Sequence, residues 1–340
     1  MPDGMITVRK VAGYTSSDVV AKLRGILHMK KIGHTGTLDP AAEGVLPVCL
    51  GNATKLCDLI ADHDKEYEAV LRLGVTTNTQ DMTGEILSAM EPSGVREQLE
   101  AAAAQEGSSV AEYIAAAASR FTGEIEQTPP KFSAVWINGK RAYDLARKGV
   151  DFEMPKRRVT IERLTITDIT LPFVTFRVTC SKGTYIRTLC EDIGRALGVG
   201  GAMEHLIRTR VGIFTLDRAL TLNELDILAH WQPEKITSDY LYPVDSFFES
   251  APKLYVNAES QPYLDNGNPL SFANMEDHED SLVRDERVRV FRNETKTPGS
   301  PVRVYNKEGE FYGIYRYDFT RKRLLCIRMF HEVAGARNNR

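Results

Sequence analysis

Gly33-His34-Thr35-Gly36-Thr37-Leu38-Asp39-Pro40, continued by Glu43-Gly44-Val45-Leu46-Pro47, is the stretch on which the reading of this chain turns. In the first eight residues two glycines, a histidine, two threonines and one carboxylate stand together, and almost nothing there could fill a core. A residue before proline is pushed out of the α region into extended backbone, so Asp39 sits on a stiff turn. Two readings of that carboxylate are open. Asp followed by Pro is a common helix start, with Asp as N-cap and Pro at the first helical position, and local spacing alone favours it. The other reading is an attacking group, which needs a cation to keep it ionised and aimed.

On the N-terminal side, an apolar-alternating strand ends at Lys10, where a lysine is ordinarily solvated. Thr15 and Asp18 have the spacing of a capping box, and Val19, Val20, Leu23, Ile26 and Leu27 then repeat at helical spacing. On the C-terminal side, Val45 to Leu50 reads as a short strand or buried turn. Lys65 to Leu73 alternates as a strand, with Tyr67, Ala69, Leu71 and Leu73 on one side. Glu91 to Arg120 predicts one or two helices broken near Gly107-Ser108-Ser109. Val159 to Ile169 and Phe173 to Cys180 read as strands. After a turn at Ser181-Lys182-Gly183 comes a helix with Ile186, Leu189, Cys190, Ile193 and Leu197 as its buried stripe, ended by Gly198 to Gly201. Val302 to Tyr305, Phe311 to Tyr317 and Leu324 to Met329 predict three further strands.

The chain has 340 residues, enough for two domains, and we place their boundary near residue 248. Its apolar and charged fractions, 42% and 26%, are ordinary for a soluble globular protein. There is no apolar run of membrane-spanning length and no signal-peptide layout, so the expectation is a cytoplasmic protein. Cys49, Cys57, Cys180, Cys190 and Cys326 have no zinc-type spacing and read as free thiols. The net charge of −3 hides an uneven distribution. Residues 1–38 hold six cations against two carboxylates, a net +4; residues 128–163 hold nine against four, a net +5. Two basic zones on an acidic body suit a polyanion, provided they meet in space. An acidic, loop-like stretch runs from Glu276 through Asp277, Glu279, Asp280 and Asp285 to Glu286.

Taken singly, each candidate residue has a plain structural reading. Arg187, in the first turn of its helix and off the apolar stripe, suits a partner for Asp39; the competing reading is an Arg187–Glu191 pair one turn apart. Tyr67 reads as core. His34, between glycine and threonine on an exposed loop, has no companion at ligand spacing, so a metal site is not expected, and contact with a base or phosphate suits it better. The segment 128–149 interleaves Phe132, Trp136 and Tyr143 with Lys131, Lys140 and Arg141. Cations for phosphates plus flat rings for stacking is what looped RNA calls for, and a solvated loop is the alternative.

Together these motifs resemble the TruB family of pseudouridine synthases. The matching segments are Lys10-x-x-Gly13-Tyr14-Thr15-Ser16, Gly33 to Pro40, Asp64-Lys65-x-Tyr67, and Gly84 with Asp81 before it. They continue with Gln127-Thr128-Pro129-Pro130-x-Phe132-Ser133-Ala134 and Cys180 to Arg187, in the family's order over about residues 5–215. The resemblance implies an α+β fold with a largely antiparallel central sheet and flanking helices, followed by a small β-rich, PUA-like domain. It implies isomerisation of a uridine at T-loop position 55 of tRNA to pseudouridine, without a cofactor. Asp39 would be the nucleophile, attacking ribose C1′ or uracil C6, or the base on a glycal route; all three remain open. Arg187 would pair with it, and Tyr67 would pack on the target base and remove a proton. Lys10, His34, Tyr185 and Leu206 would serve substrate binding, with His34 entering the space left by the flipped nucleotide. The excursion at about 125–150, with Lys131, Phe132, Lys140 and Arg141, would close over the T stem-loop. Val11 stands where the family usually has proline. No protein partner and no membrane are implied, and a monomer is expected. Two rivals stand beside this reading: a tRNA-binding protein that assists folding, and a sugar hydrolase using Asp39 with a second carboxylate.

Overall fold

The computed structural model describes residues 2–276 and 300–331. In chain order the first elements are β1 (Gly4–Lys10), α1 (Ser16–Ile26), β2 (Ile32–His34), β3 (Glu43–Leu50), α2 (Cys57–Ala61), β4 (Lys65–Leu73), and the hairpin β5 (Val75–Thr77) with β6 (Ile86–Ala89). Next come α3 (Pro92–Gln105), α4 (Val110–Ser119), β7 (Gly123–Gln127), the small hairpin β8 (Trp136–Ile137) and β9 (Lys140–Arg141), and α5 (Ala142–Arg147). The long strands β10 (Arg157–Thr170) and β11 (Phe173–Cys180) lead to α6 (Ile186–Ala196), β12 (Gly201–Val211), β13 (Phe214–Thr215) and α7 (Leu222–Trp231).

Local chemistry accounts for most of these. Thr15 and Asp18 close the predicted capping box on α1, and Ser109 and Glu112 do the same where α3 and α4 are broken. Strand β4 alternates buried and half-buried residues along its whole length, with the predicted face inward. The α6 stripe packs as expected: Ile186, Leu189, Cys190, Ile193 and Leu197 are all buried. The stretch at 45–50 is a strand, one of its two readings. Gly201, expected in a helix stop, instead opens β12, a long strand.

The nine-stranded main sheet runs β1-β3-β12-β4-β11-β10-β7, with β2 edging β3 and β13 edging β12. All its pairings are antiparallel except β3 with β12, which meet in parallel at Ile207↔Glu43 and Arg208↔Gly44. One core lies between the sheet and α3, α4 and α6, around Leu71, Phe176, Leu189 and Ile114. A second joins β1 and β3 to α1 and α7. This is the expected α+β arrangement. Among the described residues no helix is long and apolar enough to cross a membrane.

A second sheet of five strands follows, in the order β15-β14-β16-β17-β18. Its strands are β14 (Lys253–Val256), β15 (Met275–Glu276), β16 (Pro301–Tyr305), β17 (Phe311–Asp318) and β18 (Arg323–Met329). The last three are the strands predicted from alternation. Of the acidic stretch, only Glu276 belongs to the described residues; Asp277 to Glu286 lie outside them. Ile314 and Phe330 of this region share a core with Met5, Val45 and Phe214 of the main sheet and with Val244.

Candidate active site

Asp39 caps no helix. Its carbonyl accepts the Ala42 N–H at 3.1 Å, closing a tight turn that runs into β3, so the cap reading falls. The turn is tied on every side. The Leu38 N–H donates to Ser16 Oγ (2.9 Å) at the start of α1, and the Gly13 N–H donates to Pro40 O (2.9 Å). Lys10, expected in solvent, is buried beneath the turn, where its ammonium donates to the carbonyls of Val11 (3.1 Å), Pro40 (3.1 Å) and Ala42. Val11 in place of proline therefore leaves the lysine in position. Burial pulls the Lys10 ammonium down to about 8, against the pull of Asp39 and Glu43.

The turn aims the Asp39 carboxylate at Arg187. Nε meets Oδ2 at 3.0 Å and Nη2 meets Oδ1 at 3.3 Å, a fork-to-fork pair. The Arg187 side chain is 7% exposed and the Asp39 side chain 39%, so the carboxylate is the open end of the pair. The guanidinium also donates to Thr79 O and Phe132 O, each at 3.2 Å, and lies 3.5 Å from Asp81 Oδ2. Asp81 is saturated: its Oδ1 accepts from Thr79 Oγ1, the Thr83 N–H and Thr83 Oγ1. Glu191 pairs with Arg195 instead, so the Arg187–Glu191 alternative also falls.

Asp39 and Arg187 border a cavity of about 270 Å³, together with Tyr67, Leu206, Tyr185 and Ser133. Gln127, the head of the Gln-Thr-Pro-Pro motif, holds Tyr185 from behind by accepting its N–H (3.0 Å) and donating to its carbonyl (3.3 Å). Tyr67 is buried, and loss of solvent pushes its phenol up. Thr35 to Asp39 and the pair Ser133-Ala134 both line the cavity, so parts of the two sequence zones come together there, but the lysines and arginines that make those zones basic do not line it.

Several residues expected to touch substrate stand apart from the cavity. His34 is the end of strand β2 rather than an exposed loop residue. Its Nδ1 is buried without a partner among the described residues, and burial pulls the ring's pKa down. Lys131 pairs with Asp151 at 3.0 Å, and Phe132 contributes through its carbonyl to Arg187. Lys140 is exposed on the β8–β9 hairpin, and Arg141 stacks at 4.1 Å from the centre of the Trp136 ring, itself 60% exposed.

Arg208 is the residue that local reasoning missed. It lines the cavity, is 1% exposed, and donates from Nε to Val45 O (2.7 Å) and from Nη2 to Gly36 O (3.2 Å). Strand β3 passes it so closely that a Cβ on Gly44, at φ +106, would lie 2.2 Å from the Arg208 carbonyl oxygen. The available signal was alternation: Leu206 and Arg208 share a face of one strand.

Comparison with known proteins decides among chemistries that this geometry leaves open. Residues 24–186 match the model of the TruB family pseudouridylate synthase N-terminal domain, and residues 187–249 match the tRNA pseudouridylate synthase B C-terminal domain. A tRNA pseudouridine synthase B of Lachnoclostridium phytofermentans is 45% identical over 336 residues, 96% of this chain and 99% of the relative. This chain belongs to the TruB family. A second TruB relative, from Bacillus pumilus, is 42% identical over 86% of this chain and 90% of its own length. Among solved structures, a chain of a Cbf5-Nop10-Gar1 complex aligns with a TM-score of 0.63 at 26% identity, covering 97% of this TruB chain and 85% of that chain. A chain of an H/ACA RNP bound to a substrate RNA containing 2′-deoxyuridine aligns with a TM-score of 0.62 at 23% identity, a likeness of fold.

Proposed function

We propose that this chain converts the T-loop uridine at tRNA position 55 to pseudouridine, with Asp39 as nucleophile on a flipped-out base. Family membership and the named relatives support the coarser statement that it is an isomerase making pseudouridine in tRNA. One observation supports Asp39 as the nucleophile. The Asp39 carboxylate is half-exposed, oriented by a buried guanidinium, and opens on a cavity of about 270 Å³. That is below the roughly 300–1,000 Å³ of drug-sized ligand sites, room for one small ring.

The reaction breaks the N1–C1′ bond, forms C5–C1′, removes a proton from C5 and places one on N1; no electrons are gained or lost. A carboxylate suits the first step as both nucleophile and leaving group. Attack at C1′, attack at C6 and proton removal from C2′ all start from Asp39. Arg187 aims it, Tyr67 packs on the extruded base and takes the C5 proton, and Tyr185 and Leu206 wall the pocket. Extruding the uridine from the T-loop stack costs a few kcal/mol, which contacts from His34, Lys131, Phe132, Lys140 and Arg141 would offset. The sugar-hydrolase reading needs a second free carboxylate, and Asp81 has its oxygens occupied.

The test is Asp39→Asn. Tritium release from C5-labelled T-loop uridine should be abolished while filter binding of tRNA stays within about twofold, because the amide keeps the shape and loses the nucleophile. Assistance with tRNA folding needs binding alone and would survive in that variant. Wild-type protein that binds tRNA and releases no tritium would refute the isomerase reading.

A further inference from the structure

Two cations of the cavity wall stand without a counterion. Arg187 is matched by Asp39 and Asp81, but Arg208 and Lys65 take part in no ion pair among the described residues. Lys65 donates to the carbonyls of Ala61 (2.8 Å) and His63, and Arg208 to those of Val45 and Gly36. Burying charge without a counterion is expensive, so a site that keeps two such cations is built for an anion, permanent or transient.

Tyr67 stands between them. It lies two residues from Lys65 on the same face of β4 and is the cross-strand partner of Arg208, Arg208↔Tyr67, in the β4–β12 pairing. Both side chains line the cavity, and the Arg208 charge acts on the Tyr67 phenol in favour of its ionised form. An arginine only donates, so when it engages the phenol the oxygen is the acceptor and the proton turns elsewhere. The cavity, which Tyr67 lines, offers that direction.

We propose that Arg208 is a positioning residue for the proton exchange at the base: it holds the Tyr67 oxygen, turns the phenol proton toward the uracil, and carries the phenolate's charge while that proton is away. The inference rests on the isomerase reading. Once C5 has joined C1′, N1 lacks a proton and C5 has one too many, and both atoms flank C6. Tyr67 gives its O–H proton to N1, forming N1–H and a phenolate. The phenolate then takes the C5 proton, breaking C5–H and restoring the phenol. One proton leaves the tyrosine and one returns, so no outside acid or base is needed. Burial keeps Tyr67 protonated in the free enzyme, the state in which this exchange must begin.

The experiment compares single-turnover pseudouridine formation on tRNA carrying hydrogen or deuterium at the target C5. General acid–base groups are worth about 10²–10⁴ in rate, so Arg208→Met should slow the reaction about 100-fold, with tRNA affinity nearly unchanged. The loss falls on proton transfer, so the C5 isotope effect should rise above that of wild type. Arg208→Lys, which restores a charged donor, should recover at least part of the rate and lower the isotope effect again. Thermal melting checks that each variant folds; if Arg208→Met does not, the isotope effect is read on Arg208→Lys, which should still exceed wild type. Slow turnover with a wild-type isotope effect, or a lysine variant no faster than the methionine one, would overturn the inference. Wild type that makes no pseudouridine would refute the isomerase reading instead.

Discussion

At the scale of the residue, Arg187 is a cation in the first turn of a helix, where it opposes the helix dipole by roughly 0.3–1 kcal/mol. Two carboxylates and two backbone carbonyls offset that cost, and the position is explained by what it holds rather than by α6. Lys10 makes a comparable argument with a pH signature. Its folded pKa of about 8 lies below the unfolded value of 10.5, so between those pH values the unfolded chain holds a proton that the folded one lacks. Its contribution to stability therefore rises with pH across that window. Its contribution to function runs the other way, because a neutral amine has two donors for three carbonyls. Single-turnover activity should fall above about pH 8. Lys10→Met should be about tenfold slower, less than the roughly 10²–10⁴ of a group that itself transfers a proton, and should lack that limb. A Lys10→Met profile that keeps the wild-type limb would assign it to another group, with Lys65, also pulled to about 8, the first to examine.

At the scale of the element, β4 and β12 bring the site together. Their register sets Tyr67 opposite Arg208 and Ala69 opposite Leu206, so Tyr67, Arg208 and Leu206 come to the cavity from alternate rungs of one ladder. The β8–β9 hairpin is a different kind of element, two residues on each side, presenting Lys140 and the Trp136–Arg141 stack to solvent. A flat ring with a guanidinium on it can stack on a base and meet a phosphate. Replacing Lys140 and Arg141 with Ala should weaken tRNA binding and flatten its salt dependence, by about 0.7–0.9 in log–log slope for each phosphate that the variant no longer neutralises. Filter binding from low to moderate salt measures both, and an unchanged slope would mean that the hairpin touches no phosphate.

At the scale of the whole molecule, the proposed boundary near residue 248 separates two sheets that share a core. Phe330 packs on Phe248 and Phe311, with centroids 6.0 and 5.6 Å away, within the cluster that includes Met5 and Phe214. Lys55 donates to Met329 O at 2.6 Å, and Tyr305 donates to Asp245 at 2.7 Å. Such a junction should transmit destabilisation. Phe330→Ala should cost about 3–5 kcal/mol and lower the melting temperature of the protein in one calorimetric transition. Two separated transitions, with only one displaced, would show instead that the sheets melt independently.

Amphipathic periodicity and capping chemistry are local, so the sequence by itself determined α1, the broken helix pair, β4, β10, β11, α6 and the last three strands. The order of its motifs determined the family it resembles. What Asp39 does was not legible locally, since Asp-Pro obeys the rules of a helix start, and its partner Arg187 lies 148 residues further on. Arg208 was illegible for a related reason: on a strand, a buried arginine and a surface one look alike until the neighbouring strands are in place. Lys10 misled in the same way, because three backbone carbonyls that take up an ammonium leave no mark in composition. Tertiary structure decided these placements, since the burial and directed hydrogen bonds around a charged group come from segments far apart in the chain.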